Sequence, residues 1–289
     1  MEVLTALLLG GWFTFNAVAT PGRVAKTAQK AIQRQFPSAQ VKVNISGNRG
    51  KDVLNGRFKT VRIEMANLAL ATLPIQSAGA KTSPPAVAPV APALESRALD
   101  APAAPTRAAN VKEGRIGRLE VELRDLRYTD LPIETLRVSF DDVRYDFGAL
   151  KNRSQLRLIS FSNGRVALAM RASALAPLIS KREPQVRRPT LHLQNGEIIV
   201  TGEREVLGLS TPVEVRGSLV TRGQDVEIAS PRVRVDGVPL PSLAAAPFLR
   251  DLNPVFRFDP TTSGPLRLRF DSLVANDDTL QVQGTLELR

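Results

Sequence analysis

The sequence has no cysteine among its 289 residues, and this absence excludes two kinds of site. Neither a disulfide framework nor a thiolate-bound metal is possible without cysteine. Histidine is almost as scarce, because His192 is the only one. A histidine-based metal site would need further histidine ligands, and a Ser-His-Asp hydrolase would need a G-x-S-x-G nucleophile elbow, which does not occur. We therefore interpret His192 as an ordinary surface or cross-strand residue, and we expect no enzyme activity, cofactor or metal.

Aromatic residues are also few, at 5% of the chain with one Trp and two Tyr. Lys and Arg together exceed Asp and Glu by 39 to 28, and this excess favours contact with phospholipid headgroups or nucleic acid. Proteins that bind single-stranded nucleic acid combine basic residues with aromatic side chains for base stacking. The composition therefore disfavours nucleic acid and leaves phospholipid or another anionic lipid as the expected partner. The acidic pairs Asp141-Asp142 and Asp277-Asp278 lack the spacing of a calcium loop and are explained by turn chemistry.

Long hydrophobic runs are lacking except at the N-terminus. Residues 4–15 are largely apolar and lead to Ala17-Val18-Ala19, which resembles a signal-peptidase site. The run is too short for a comfortable membrane span, and Glu2 is the only charge before it. We predict that residues 1–20 are a signal peptide or an N-terminal membrane anchor, which would place the protein outside the cytoplasm in the cell envelope, periplasmic or membrane-anchored. The alternative is a buried N-terminal helix.

A basic amphipathic helix is predicted over residues 23–36, and Pro37 ends it. Its apolar stripe consists of Val24, Ala28, Ala31, Ile32 and Phe36. Its second stripe is basic, contains no acid and consists of Arg23, Lys26, Lys30 and Arg34. A basic helix directly after a hydrophobic segment suits an anionic membrane surface. Alternatively, the basic stripe is the solvated face of a helix that packs on a sheet.

Alternation of apolar and polar residues predicts strands on both sides of a Pro/Ala-rich segment. Residues 76–111 contain six of the 21 prolines and no aromatic residue. Such a segment cannot bury enough apolar surface to offset the entropy lost on ordering. We therefore predict a disordered insertion at 76–111 within a single β-rich domain formed by residues 21–75 and 112–289.

Turn signals divide the C-terminal part into successive strands. Asn163-Gly164 and Asn195-Gly196 are typical of hairpins, and Arg222-Gly223 and residues 276–278 also separate alternating runs. Two short helices are predicted, over residues 174–181 and 243–252. The succession predicts an α+β fold with a twisted antiparallel sheet, apolar on one face and rich in Arg on the other.

Two stretches of this sequence resemble patterns of a known family. Residues 191–200 follow L-x-L-x-x-G-x-I-x-V, and residues 233–241 follow V-x-V-D-G-x-x-L-P. Together with the apolar leader, the N-terminal helix and the final strand pair, they resemble the LmeA-like phospholipid-binding family of bacterial cell-envelope proteins. The insertion at 76–111 and the Asn253-Pro254 break depart from the pattern of that family.

The resemblance implies a tubular lipid-binding-like fold, in which a long, strongly curved antiparallel sheet wraps one or two short helices. Acyl chains would lie in an apolar groove between helix and sheet, with headgroups at its mouth. Burial contributes roughly 0.8 kcal/mol per methylene, so even a partly enclosed chain would be held. Candidate lining residues, each of which can equally be plain core, are Leu175, Leu178, Ile179, Leu243, Phe248 and Leu249.

Two function classes remain open at this point. The first is a non-enzymatic, envelope-associated protein that binds phospholipid or another acyl-chain lipid. The second is a structural or scaffold module of the envelope whose core is filled by its own side chains. An open apolar groove favours the first, whereas a dry and fully packed core favours the second. A lipid- or glycan-modifying enzyme would need acids or a nucleophile in the groove, and the sequence offers none.

Overall fold

The computed structural model of this protein describes most of the chain from residue 20 onward. The described ranges are 20–47, 51–70, 112–128, 131–153, 157–182, 186–194, 196–206, 209–223, 225–253, 255–257, 266–276 and 278–288. The predicted leader at 1–20 (apart from residue 20) and the predicted insertion at 76–111 lie outside these residues. No helix within the described ranges has the length and apolar character needed to cross a membrane.

Five α-helices and one 3-10 turn are present in the described residues. They are α1 (Pro21–Gln35), α2 (Lys51–Leu54), α3 (Phe147–Arg153), the 3-10 turn (Ala172–Leu175), α4 (Ala176–Arg182) and α5 (Ser242–Leu252). Three of these elements agree with the predictions over residues 23–36, 174–181 and 243–252. Helices α2 and α3 are short, and the alternation pattern gave no signal for them.

Fourteen strands make up most of the described chain. They are β1 (Gln40–Ser46), β2 (Arg57–Ala66), β3 (Ala69–Leu70), β4 (Glu113–Tyr128), β5 (Leu131–Asp146), β6 (Leu158–Arg171), β7 (Val186–Gln194), β8 (Glu197–Val206), β9 (Leu209–Arg222), β10 (Asp225–Val235), β11 (Val238–Pro239), β12 (Phe256–Arg257), β13 (Leu266–Asn276) and β14 (Thr279–Leu288). The α+β class is therefore confirmed in its broad form, with strands far outweighing helices.

The strands form two sheets rather than the one long sheet predicted. The eight-stranded sheet has the order β1-β2-β4-β5-β6-β14-β13, with β3 also paired to β4. The six-stranded sheet has the order β11-β10-β9-β8-β7, with β12 paired to β10. The β7–β8, β9–β10 and β13–β14 hairpins lie at the turns that the sequence indicated. The strong curvature expected from the family resemblance stays a prediction.

The eight-stranded sheet is mixed, which corrects the prediction of a purely antiparallel sheet. Strand β2 pairs with β4 in parallel, with Val61 opposite Leu119 and Ala66 opposite Arg124. Parallel neighbours cannot be joined by a tight turn and need a long crossover connection. The chain must therefore return from Leu70 to the start of β4, a strand of 16 residues, which at roughly 3.3 Å per residue is about 50 Å away. The Pro/Ala-rich segment occupies this connection.

Asn163-Gly164 is not a hairpin turn, although its sequence is typical of one. Both residues lie within the continuous strand β6, and Gly164 faces Leu286 of β14. Asn163 has φ +49°, and the register between β5 and β6 shifts beside it, so the pair forms a bulge. A Cβ on Gly164 would lie 2.4 Å from the carbonyl oxygen of Leu286. The glycine thus permits close strand approach rather than chain reversal.

Helix α1 packs on β1 through its apolar face. Pro21 suits the first helical position, and the buried side chains are Val24, Ala25, Ala28 and Ile32. At the other end, the side-chain amide of Gln33 donates hydrogen bonds of 2.6–3.3 Å to three carbonyl groups beyond the helix. The apolar stripe predicted for this helix therefore serves the protein core.

The two sheets share one continuous apolar core. Strand β13 of the larger sheet lies against β7 and β9 of the smaller sheet. The backbone N–H of Phe270 donates a 2.9 Å hydrogen bond to the carbonyl of Gly223 across this junction. The 3-10 turn contacts β5, β6 and β7, so it also bridges the sheets. This junction is where the two short helices α4 and α5 lie.

Candidate functional site

The two short helices meet beside the smaller sheet, where the sequence predicted a lipid groove. Helix α4 lies on β7 and contacts α5, and α5 lies on β10. Leu175, in the 3-10 turn, is 1% exposed, and Ile179, in α4, is 5% exposed. Both belong to the continuous apolar core. Two of the six predicted lining residues are therefore buried in the protein core.

The other predicted lining residues have different environments. Leu249, in α5, is partly buried and packs against the core. Leu243, in the first turn of the same helix, is 92% exposed, so its side chain does not line an enclosed space. The side chains of Leu178 and Phe248 lie outside the described part of the structure. A lining role for these six residues stays a prediction.

Helix α5 is held mainly at its C-terminal end. The side chain of Asn253 accepts a 2.8 Å hydrogen bond from the N–H of Ile228 and donates a 3.0 Å bond to its carbonyl. Val255 then continues this pairing, because its N–H donates to the carbonyl of Val226. At the helix itself, Ala245 is the one fully buried side chain among those described.

Asn253 was not predicted as a structural anchor. The sequence showed Asn253-Pro254 only as a break after the second helix. Its amide can pair with both backbone groups of one residue, as a neighbouring strand does. No local pattern specifies this role, because the partner Ile228 lies 25 residues earlier in the chain.

Three large apolar side chains are exposed at one end of the smaller sheet. Val238 follows the Asp236-Gly237 turn and is 63% exposed, and Leu209 begins β9 and is 71% exposed. Val235, which lies opposite Val238, also pairs with Val213 of β9. The Asp236-Gly237 turn and the start of β9 therefore lie at the same end of the sheet. The first turn of α5, with Leu243, follows β11 there after two residues. We call Leu209, Val238 and Leu243 the apolar end.

The basic stripe of α1 lies on its solvent-facing side. The side chains of Arg23, Lys26, Lys30 and Arg34 are all exposed. Among the described residues, none of the four has a carboxylate partner. The structure thus agrees with a helix that packs on the sheet, which was the alternative to a membrane role. These four free cations remain available to an anionic surface, and a membrane role stays a prediction.

His192 lies in β7 with its side chain exposed. Within the described ranges, no group of three or more His, Asp or Glu residues is arranged to hold a metal ion. Asp142 is not at a turn between strands, as the sequence suggested. It lies within β5 at φ +50° and accepts a hydrogen bond of 2.5 Å from Arg115. The candidate site therefore offers apolar surface, backbone hydrogen bonds that anchor α5, and exposed cations.

The sequence profile of the LmeA-like phospholipid-binding family matches residues 105–285. This range covers more than half of the chain and includes both short helices and all of the smaller sheet. The chain belongs to this family. No curated protein and no solved structure matches the chain.

The match to the LmeA-like family excludes the N-terminal part of the fold. Helix α1 and strands β1 and β2 precede residue 105, although β2 pairs directly with β4 inside the matched range. The predicted resemblance extended to this N-terminal part. The family match supports only the region from the end of the insertion to the final strand pair.

Proposed function

We propose that this protein binds phospholipid or another acyl-chain lipid between the smaller sheet and helices α4 and α5, without catalysing a reaction. The binding would take place in the cell envelope, outside the cytoplasm, with the N-terminal segment holding the protein near the membrane. The observation that carries the proposal is membership of a phospholipid-binding family over the residues that form these elements.

The position of α5 supports an acyl-chain site beneath it. Its C-terminal end is anchored by Asn253, whereas its first turn is exposed and places Leu243 in solvent. Displacing the helix about its anchored end would uncover Ala245 and the part of β10 on which the helix lies. Each methylene that enters this apolar region would contribute roughly 0.8 kcal/mol.

The apolar end supports contact with a lipid surface. Isolated exposed apolar residues are common in soluble proteins, but here Leu209, Val238 and Leu243 come from three separate turns at one end. Such a cluster can enter the outer part of a bilayer while the sheet stays outside it. Lipid would then pass from the membrane to the space beneath α5 over a short apolar path.

Native mass spectrometry of the full chain tests the proposal, with lipids extracted and identified from the same sample. We expect phospholipid to co-purify at a defined stoichiometry with the wild-type protein. Ala245→Trp would place a large side chain in the space between α5 and the sheet. We expect this substitution to reduce bound lipid at least tenfold, because it occupies the volume that an acyl chain needs.

Ala246→Trp is the matched control, since Ala246 is exposed on the same helix. It should leave bound lipid unchanged, and both variants should keep the wild-type circular dichroism spectrum. A lipid-free wild-type mass, with no uptake from anionic vesicles, would overturn the proposal. That result would favour the second hypothesis, a structural module of the envelope. The buried positions of Leu175 and Ile179 agree with that hypothesis.

A further inference from the structure

The polar face of the eight-stranded sheet contains a hollow of about 690 Å³. Six neighbouring strands line it, from β2 through β4, β5, β6 and β14 to β13. Ser139, Arg165 and Thr285 lie side by side across β5, β6 and β14. In the next row, Arg137, Ala167 and Gln283 are neighbours in the same way. We call this hollow the arginine basin. Its volume is in the range typical of small-ligand sites.

Small residues and Arg165 form the middle of the basin, and longer arginine side chains stand on its β2 side. Ser139, Ala167 and Thr285 lie across its middle, where they leave room above the sheet. Its guanidinium groups all come from the β2-to-β6 part of the sheet and belong to Arg62, Arg118, Arg137 and Arg165. Long side chains around short ones make a depression in an otherwise flat surface. The depression is thus encoded by side-chain size at paired positions of the sheet.

A buried carboxylate holds the arginines on one side of the basin. Glu122 is 6% exposed, although it belongs to the polar face. It accepts hydrogen bonds from Arg124 at 2.8 Å, from Arg62 at 3.2 Å and from Arg137 at 3.4 Å. Burial by itself would raise the pKa of Glu122, but the hydrogen bond from Arg124 and the charges of Arg137 and Arg124 outweigh it, so the pKa is lowered. Glu122 therefore stays ionised and keeps three guanidinium groups close together.

The basin carries an excess of positive charge. Its ion-pair network joins Arg62, Arg118, Arg124 and Arg137 to Glu64, Glu120 and Glu122. Arg165, exposed at the floor, has no carboxylate partner among the described residues. Asp271, on the far wall, is paired with Arg269 at 3.1 Å. Four arginines therefore line the basin against three carboxylates, those of Glu120, Glu122 and Asp271, and the arginine without a carboxylate partner, Arg165, lies in the middle of the hollow.

Neutral hydrogen-bonding groups lie next to Arg165. Ser139 and Thr285 are its neighbours on the two adjoining strands, and Gln283 and Ser272 are one row further. The hydroxyl oxygen of Thr285 is buried and has no hydrogen-bond partner within the described part of the chain. Buried polar groups without a partner are rare in folded proteins and call for an explanation. A ligand oxygen in the basin would supply the missing partner once the Thr285 side chain turns its hydroxyl toward the hollow.

A second hollow, on the smaller sheet, shows what an ordinary polar face looks like. It is lined by Arg188 and Arg234 together with Glu203 and Glu214. Arg188 pairs with Glu203 at 2.6 Å, and Glu214 pairs with Arg234 at 3.8 Å as well as with Arg216 at 2.7 Å. This hollow is therefore balanced in charge and already satisfied. The arginine basin differs from it in having an unpaired arginine and an unpaired hydroxyl.

We propose that the arginine basin binds the phosphate group of a hydroxyl-bearing phosphate ester. Arg165 and Arg137 would bind the phosphate oxygens, because a guanidinium group matches phosphate geometry with two parallel N–H donors. Ser139, Thr285 and Gln283 would bind the hydroxyl groups of the ester. The phosphate ester is either a soluble polyol phosphate or the headgroup of a lipid in a membrane. The site is on the opposite face of the sheet from the apolar core, so it does not depend on the acyl-chain site proposed above.

Isothermal titration of the full chain with glycerol 3-phosphate tests the soluble source. Flotation with vesicles of phosphatidylglycerol, against vesicles of phosphatidylcholine alone, tests the headgroup source. Arg165→Gln should weaken whichever binding is seen by about tenfold or more, since it removes a charged hydrogen bond. Arg144→Gln is the matched control, because Arg144 is an exposed arginine in the same sheet outside the basin. It should weaken binding by less than twofold.

Either source supports the proposal if Arg165→Gln weakens the binding about tenfold or more and Arg144→Gln weakens it less than twofold. The proposal is overturned if the wild-type protein binds neither probe, or if both variants weaken binding equally, as general electrostatic attraction would. The lipid that co-purifies with Arg165→Gln, measured by native mass spectrometry, separates the two sites. Unchanged co-purified lipid with lost phosphate binding would establish the basin as a site of its own. Loss of co-purified lipid in the same variant would overturn its independence.

Discussion

The buried side chain of Tyr145 joins strand β5 to a turn that lies 89 residues earlier in the chain. Tyr145 is fully buried on the apolar side of β5, and its hydroxyl donates a 2.8 Å hydrogen bond to the carbonyl of Gly56. Gly56 has φ +69°, and a Cβ there would lie 2.4 Å from the ring of Phe147. Burial raises the pKa of the Tyr145 hydroxyl, so it stays protonated and remains a donor. One tyrosine thus fixes the turn before β2 against the far end of β5.

At the same scale, Glu122 gives a prediction about acid stability. Its pKa is lowered in the folded protein from an ordinary value of 4.5. A lowered folded pKa contributes stability that is present above the unfolded value and is lost as the pH falls through the folded value. Glu122→Gln should therefore cost about 1–2 kcal/mol of unfolding free energy at pH 7, and less below pH 4.5. Urea unfolding of both proteins between pH 7 and pH 3 measures the difference.

The matched substitution Glu120→Gln provides the control for the acid-stability experiment. Glu120 is 29% exposed and pairs with Arg118 at 2.7 Å, so its loss should cost little at any pH. A difference between Glu122→Gln and the wild type that stays constant down to pH 3 would contradict the role given to the buried carboxylate.

At the scale of elements, the strands are longer than the hydrophobic runs that encode them. Strand β5 continues through Asp142 and strand β10 through Ser230, and both residues have positive φ. Each lies where the register to a neighbouring strand shifts. A bulge inserts one residue and changes the side-chain phase, so the alternation restarts without a turn. The turn chemistry predicted at Asp141-Asp142 is therefore a bulge inside a continuous strand.

At this scale, a substitution in helix α5 tests whether the apolar end contacts a membrane. Leu243→Asp places a charge at the apolar end, on a side chain that is 92% exposed. We expect binding to phospholipid vesicles to fall at least fivefold, because a carboxylate resists transfer into the bilayer. Thermal stability should stay within the error of the wild type, since no packing is lost. Sedimentation with vesicles and a melting curve give the two measurements.

Ser242→Asp is the control for the α5 experiment. It adds the same charge at the neighbouring exposed residue without removing an apolar side chain. Vesicle binding that falls equally in both variants would indicate charge repulsion from the anionic surface. The apolar end would then have no part in membrane contact.

At the scale of the whole molecule, the two parts of the chain on either side of the insertion form one sheet. Strand β2 and strand β4 are adjacent, and the apolar side chains of both belong to the common core. Limited trypsin digestion should cut at Lys81, Arg97 or Arg107, if the segment is disordered as predicted. The two fragments should stay together in size-exclusion chromatography and separate only in denaturant. Fragments that separate under native conditions would contradict a shared core.

Much of the local structure followed from the sequence alone. Period-two alternation located most strands, and the predicted bounds of α1, α4 and α5 lie within a few residues of those in the structure. These signals are local, because a strand or helix buries one face at a fixed spacing. The predicted family resemblance also rested on local patterns, at residues 191–200 and 233–241, and both lie within the matched range 105–285.

Pairing over long distances was decided only by the tertiary structure. The parallel β2–β4 pair, the division into two sheets and the bond between Asn253 and Ile228 join residues that no local period connects. The arginine basin has the same origin, because Arg62, Arg137 and Arg165 become neighbours only when β2, β5 and β6 are placed in register. The sequence determines which side chains lie on the same face of one strand. Which strands lie next to each other depends on the packing of the whole core, and that arrangement brings the charges together.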